Sequence, residues 1–237
     1  MSMLSLLIML AAGEPTFCDE RPTKDAPASR GRPAKGRVEG AVPLTETSAV
    51  RVLPERHRER CLSWATPRLI GALERAGREV QKAVPDSPAL GVGNLGRARG
   101  GSLSPYSPYS HSHQAGRDGD LAFYALDARG PVALEDLERF DAALGSKDGK
   151  LRFDVVRNWA LVAALLSDES IELRWIFVSD SLRDAVLAQA RKSKASPVLI
   201  AAAAKVLHQP SDAPAHDDHF HVRIRCTRDE RADGCVD

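Results

Sequence analysis

Residues 219–226 read HFHVRIRC. Polar and apolar residues alternate without interruption, which is the pattern of a β-strand with one buried face. His219, His221, Arg223 and Arg225 therefore point to one side, and Phe220, Val222, Ile224 and Cys226 point into the core. Two imidazoles project side by side from a rigid support. Only one of them fits as a ligand at ~2.0–2.1 Å from a metal, and its neighbour then stands within reach of a metal-bound water. His221 is assigned to the metal and His219 to the water.

Six of the seven histidines fall in two regions, and the second region lies upstream in SHSHQAGRDGDLAFY, residues 110–124. His113 and Asp120 are separated by more than one helical turn, and Gly116 and Gly119 permit the reversal that lets them meet. Asp120 is expected at the start of a strand running to Leu126. Two histidine nitrogens and a carboxylate oxygen, with water in the fourth position, make an open tetrahedral zinc site of the catalytic kind, whereas a structural zinc is more often closed by a fourth side chain. His111 and His208 receive no role. Arg97, Arg99, Arg117 and Arg223 are candidates to meet a substrate carboxylate, against the plainer reading of solvated arginines.

Around these motifs the chain alternates helices with a few strands. Thr66-Pro67 offers an N-cap and a proline at the first helical position, followed by Leu69, Ile70, Leu73, Ala76, Val80 and Val84 at helical spacing. Pro85, Asp86 and Ser87 make a turn before a short apolar segment, Leu90 to Val92, and the loop GNLGRARGGS then skirts the site. A second helix is expected from about Asp154, with Val156, Trp159, Ala160, Ala163 and Leu166 on its buried face. Residues 171–178, IELRWIFV, predict a strand buried on both sides. Asp180 or Ser181 can cap a helix from Leu182 to about Lys192, and Pro197 can open another through Val206. Helices and strands out of regular βαβ order predict an α+β domain with a small, mainly antiparallel sheet flanked by helices.

At 237 residues with 43% hydrophobic content, the chain suits one well-buried domain with appendages. Its formal charge of +1 provides no long-range field for a polyanion, so nucleic acid is not an expected partner. Residues 1–13 form a short apolar run, too short to span a bilayer and read as a possible signal-peptide remnant. No stable membrane insertion is expected. Residues 14–60, rich in Pro, Gly and charge, are expected to be a flexible arm, residues 61–226 the folded domain and residues 227–237 a C-terminal tail. Cys18, Cys61, Cys226 and Cys235 lack CxxC spacing, which suits disulfides in an oxidising, exported setting. Two patterns compete. Cys226 and Cys235 can pair locally, leaving Cys18 to Cys61 or free; alternatively Cys61 joins Cys226 and Cys18 joins Cys235.

Taken together, SHSHQAGRDGD and HDDHFHVRIRC resemble the penicillin-insensitive murein endopeptidases of the wider LAS group of zinc peptidases. The resemblance runs from about Cys61 to Cys226 and includes RCLSWATP, GVGNLG, RFDVVRNWALV and WIFVSD. It implies a single LAS-type metallopeptidase domain over residues 61–226. It also implies zinc ligands at His113, Asp120 and His221, a catalytic histidine at His219 and a further active-site histidine at His216. One zinc ion per chain follows, because the additional histidines that hold a second metal have no counterpart between Asp120 and His208. Ser110 stands where some members carry a histidine, and Gly119 where a β-branched or small apolar residue is common. The implied reaction is hydrolysis of the D-alanyl to meso-diaminopimelyl cross-link, with peptidoglycan or muropeptides as substrate, in the periplasm. Alternatives on the same scaffold are a D,D- or L,D-carboxypeptidase and a non-catalytic cell-wall binding module. A cupin-like oxygenase also uses HxH, but expects a Glu soon after the pair, and none follows His221 before Asp229.

Overall fold

The computed structural model describes residues 17–53, 60–104 and 112–237. The apolar run over residues 1–13 and His111 lie outside these. The first part of the chain contributes strands β1 (Ala28–Arg32), β2 (Lys35–Glu39), β3 (Val42–Pro43), β4 (Val50–Val52) and β5 (Trp64–Ala65), helix α1 (Pro67–Ala83) and strand β6 (Leu90–Val92). Then come β7 (Asp118–Ala122), β8 (Ala125–Asp127), β9 (Gly130–Val132), β10 (Arg152–Phe153) and α2 (Val155–Leu166). The last part holds β11 (Leu173–Phe177), α3 (Asp180–Lys192), α4 (Pro197–Val206), β12 (Leu207–His208), β13 (His219–Ile224) and α5 (Arg228–Ala232).

The main sheet has six strands in the order β12-β11-β13-β7-β6-β4. Its three inner pairings are antiparallel, and the outer pairs β11/β12 and β4/β6 are parallel. This is the expected α+β domain with a mainly antiparallel sheet. Phe220, Val222 and Ile224 are fully buried in one core with Leu69 and Leu73 of α1 and Leu161, Val162 and Leu165 of α2. The alternation in β13 thus sends its apolar half into the helices and leaves the other half on the open face.

Helix α1 starts where the sequence places it: Thr66 Oγ1 accepts from Leu69 N, and Pro67 opens the helix. It lies close against the chain before β4. A side chain at Gly77 would meet the Ala49 carbonyl oxygen at 2.3 Å, so only glycine allows that approach. Helix α4 runs over Pro197–Val206, and α3 starts at Asp180, two residues before the expected Leu182, with Ser179 in the N-cap position. No helix among the described residues is long and apolar enough to cross a membrane.

The domain bounds, the face of α2 and the burial of β11 need correction. The residues expected to form a flexible arm, 14–60, instead carry β1 to β4, and β4 is an edge strand of the main sheet. Val38, Ala41, Leu44, Val50 and Leu53 are buried there, spaced too irregularly among Pro, Gly and charged residues to show a period. The expected tail is also folded. α5 begins with a capping box of Thr227 and Glu230, and buried Glu230 accepts from Ser29 N and Arg68 Nη2, so the segments at either end of the chain pack on each other. Disulfides join Cys226 to Cys235 and Cys18 to Cys61, the pattern with the local pair.

The second correction is the face of α2. Trp159 is buried as expected, but Asn158, Leu161, Val162 and Leu165 form the rest of its buried stripe, while Val156 is exposed and Ala160, Ala163 and Leu166 are only partly covered. A polar residue at the head of the stripe hid it. Asn158 is fully buried because its side chain accepts from Tyr124 N and donates to the Tyr124 and Asp154 carbonyls, closing the α2 N-terminus onto the chain after β7. The third concerns β11, which is buried on one side only. Leu173 and Ile176 enter the core, whereas Trp175 and Phe177 stay half-buried on the open face of the sheet.

Candidate metal centre

On that open face, His221 of β13 stands in register with Asp120 of β7 on one side and Phe177 of β11 on the other. One step along the strands, Arg223 stands in the same way between Asp118 and Trp175. Asp120 lies inside β7 rather than at the start of a strand, and its backbone is clamped from the loop after β6: Asp120 N donates to Asn94 O at 2.9 Å and Gly93 N to Asp120 O at 2.7 Å. The glycine- and arginine-rich loop thus does border the site.

His113 reaches the same point from outside the sheet. Its φ of +66° is a left-handed conformation that an L-residue with a bulky side chain rarely adopts, the kind of strain that is held at functional positions. Backbone bonds fix it: Gln114 N donates to Pro33 O at 3.0 Å, and Thr66 N to Gly116 O at 3.0 Å. Gly116 also has positive φ, +67°, and supplies the reversal between His113 and β7. The His113 ring donates from Nδ1 to Leu95 O at 2.7 Å, which leaves Nε2 unprotonated in the neutral ring and aimed at Asp120 Oδ1, 3.2 Å away.

Asp120 Oδ1 is the meeting point. His113 Nε2, His221 Nδ1 and His219 Nε2 lie 3.2, 3.1 and 3.3 Å from it. His113, Asp120 and His221 are 1%, 3% and 5% exposed, so all three side chains are buried. Their ligand atoms lie within 4.8 Å of one another, as do those of His216, His219 and His221. Because both sets use His221, they do not make two independent sites. The first set contains the carboxylate, which offsets the charge of a dication, and its two imidazoles and one carboxylate are the donor types of an open site.

Asp118, on the same face of β7 as Asp120, was missed by the sequence reading. It is fully buried, and its Oδ1 accepts from His221 Nε2 at 2.8 Å and from Arg223 Nε at 2.6 Å. Both ring nitrogens face carboxylates, and in the neutral ring the shorter contact, to Asp118, takes the Nε2 proton and leaves the Nδ1 lone pair toward Asp120. The signal was present in the DxD spacing of a strand, which puts both carboxylates on one side. Asp218 was missed too. Its Oδ1 is 2.5 Å from His219 Nδ1, which directs His219 Nε2 toward Asp120.

These contacts set the charges of the metal-free site. Burial alone lifts Asp120, but the neighbouring charges of His113 and His219 outweigh it and hold Asp120 well below the usual carboxylate range. Asp118 is likewise lowered, burial being outweighed by Arg223 and His221. His219 is raised to about 10, because Asp120 and Asp218 overcome the opposing effect of burial. His113 is also raised, by Asp120 against burial. His216 moves the other way, to about 4, through burial and then the charges of His219 and His221. Its ring lies 5.4 Å from that of His219, and its backbone is held by Gln209 Oε1 at 2.9 Å.

The structure therefore brings His113, Asp120, His219 and His221 together and places His216 beside them. Of the four arginines considered, three are engaged elsewhere. Arg97 pairs with Glu20, Arg99 donates to the Arg21 carbonyl, and Arg117 is fully buried among Ser29, Ile224, Val236 and Asp237. Arg223 alone of the four lies on the face of the site. His208, on β12, is exposed and its ring lies 5.2 Å from that of Trp175.

Among known families, the model of the penicillin-insensitive murein endopeptidases matches residues 29–237. No curated protein matches the chain. The matched span includes the strands before residue 60 and the segment after residue 226, in agreement with their being folded parts of the domain.

Proposed function

We propose, because the chain belongs to the penicillin-insensitive murein endopeptidase family, that it is a zinc-dependent endopeptidase cleaving the D-alanyl to meso-diaminopimelyl cross-link of peptidoglycan. The observation that carries the zinc dependence is the buried trio of His113, Asp120 and His221, whose ligand atoms lie within 4.8 Å of one another. Zinc held by these residues supplies a Lewis acid that polarises a peptide carbonyl and brings the pKa of water down towards ~7.

The chain's own residues do the rest. Leu95 O and Asp118 fix the tautomers of His113 and His221, so both rings present a lone pair without rearrangement. His219 keeps its Nδ1 on Asp218 and holds or moves a proton at Nε2. His216 and His219 are pushed to opposite sides of neutrality, to about 4 and about 10, which makes His216 a neutral group and His219 a cationic one in the metal-free chain. With its Nδ1 held by Asp218 and its Nε2 turned toward Asp120, His219 is the residue placed to stabilise an oxyanion or return a proton to the leaving amine, with the His216 ring 5.4 Å away. The two disulfides support an oxidising, exported location, in keeping with a periplasmic substrate.

The test is metal restoration. Stripping the protein with a chelator should stop the loss of cross-linked muropeptide dimers, and stoichiometric zinc, one ion per chain, should restore it. Undiminished cleavage after complete metal removal would contradict the assignment.

A further inference from the structure

Arg223 differs from the other arginines near the site. Arg139 is paired with Asp217 and Asp218, Arg225 with Glu172 and Asp237, and Arg117 is saturated in the interior. Arg223 uses only Nε, which donates to Asp118 at 2.6 Å; among the described residues nothing accepts from its Nη1 or Nη2. The side chain is 18% exposed, and its guanidinium carbon lies 5.3 Å from the Phe177 ring centroid, on the face that carries His221. A guanidinium tethered at Nε with both terminal amino groups free is a fork preset for a carboxylate.

We propose that Arg223 binds a free carboxylate of the substrate on the leaving-amine side of the scissile bond. This rests on the peptidase reading and adds the group that the enzyme recognises. Arg223 and His221 are two residues apart on one face of β13, about 7 Å at the rise of a strand. One residue of substrate, ~3.5 Å, and one charge-assisted hydrogen bond, ~2.8 Å, cover nearly that span. In a D-alanyl to diaminopimelyl cross-link, the carbon bonded to the scissile nitrogen carries such a carboxylate. Asp118 joins the two functions, since the same oxygen orients the His221 ring and anchors the Arg223 fork.

The experiment compares two dimers, one with free carboxylates and one with those carboxylates converted to carboxamides, cleaved by the zinc-loaded wild type and by Arg223→Gln. For the wild type, kcat/KM should fall about tenfold or more on the carboxamide, the worth of one hydrogen-bonded charge pair. Arg223→Gln should lose a similar factor on the acid, chiefly in KM, and should no longer distinguish the two dimers, with zinc content unchanged. Equal cleavage of both dimers by the wild type overturns the inference, and that arm stands even if the variant folds poorly. An equal loss on both dimers in the variant overturns it as well. If the zinc-loaded wild type cleaves neither dimer, the peptidase reading itself fails and takes this inference with it.

Discussion

Asp118 Oδ1 accepts a hydrogen bond from His221 Nε2 at 2.8 Å, and the acceptor is wholly buried. A carboxylate behind a ligating imidazole fixes its tautomer and raises its basicity. Asp118→Ala should therefore weaken zinc binding by roughly 10–100-fold, measured by competition with a chromophoric chelator. Unchanged affinity in a folded variant would show that His221 needs no such support.

The proposed ligands and the proposed catalytic histidine should separate in a metal assay. His113→Ala, Asp120→Ala and His221→Ala should lose most bound zinc, since each removes one of three donors. His219→Ala should keep its zinc and lose turnover by about 10²–10⁴-fold, the usual contribution of a positioned acid–base group. Zinc loss from His219→Ala alone would shift the metal to the His216, His219 and His221 set.

The alternation in HFHVRIRC was legible because a strand has period two and every apolar residue of it enters the core. The meeting of the two histidine-bearing regions follows from the same period: His221 and Asp120 sit at facing positions of neighbouring strands. Other parts depend on partners that sequence does not display. Asn158 is buried because Tyr124 and Asp154 satisfy its amide, so of the residues expected on the buried stripe of α2 only Trp159 is fully covered. Val50 pairs with Leu90 and Val38 N bonds to Arg99 O, both far along the chain, so strands β1 to β4 looked like a loose arm. The DxD spacing puts Asp118 on the face of Asp120, but its role shows only once Arg223 and His221 are placed around it.

Metal-free protein should show a pH signature from His219. Its folded pKa, about 10, lies above the ordinary value of about 6.5, so the protonated form stabilises the fold. That stabilisation is fully present below pH ~6.5 and is lost as pH rises through about 10. The stability gap between stripped wild type and stripped His219→Gln should shrink over this range in denaturant titrations; a constant gap would contradict the assignment. Zinc loading near pH 8 should also release protons, seen as a buffer-dependent binding enthalpy.

Cys226–Cys235 closes a short loop, with a sequence separation of 9, next to Asp237, which accepts from Arg117 and from Cys226 N. Replacing both cysteines with serine should lower stability by about 2–3 kcal/mol on the loop-closure account. Denaturant unfolding measures this, and peptide mapping without reductant should recover Cys18–Cys61 and Cys226–Cys235 as separate pairs.

The most direct measurement is product identification by mass spectrometry after zinc-loaded protein meets purified cross-linked dimers and uncross-linked pentapeptides, with and without a β-lactam. A β-lactam acylates an activated serine, whereas the site here is built from His113, Asp120, His219 and His221. The account predicts monomers from the dimers, no free D-alanine from the pentapeptides, and the same rate with β-lactam present. Free D-alanine with intact dimers, or no change in either substrate by fully zinc-loaded protein, would contradict it.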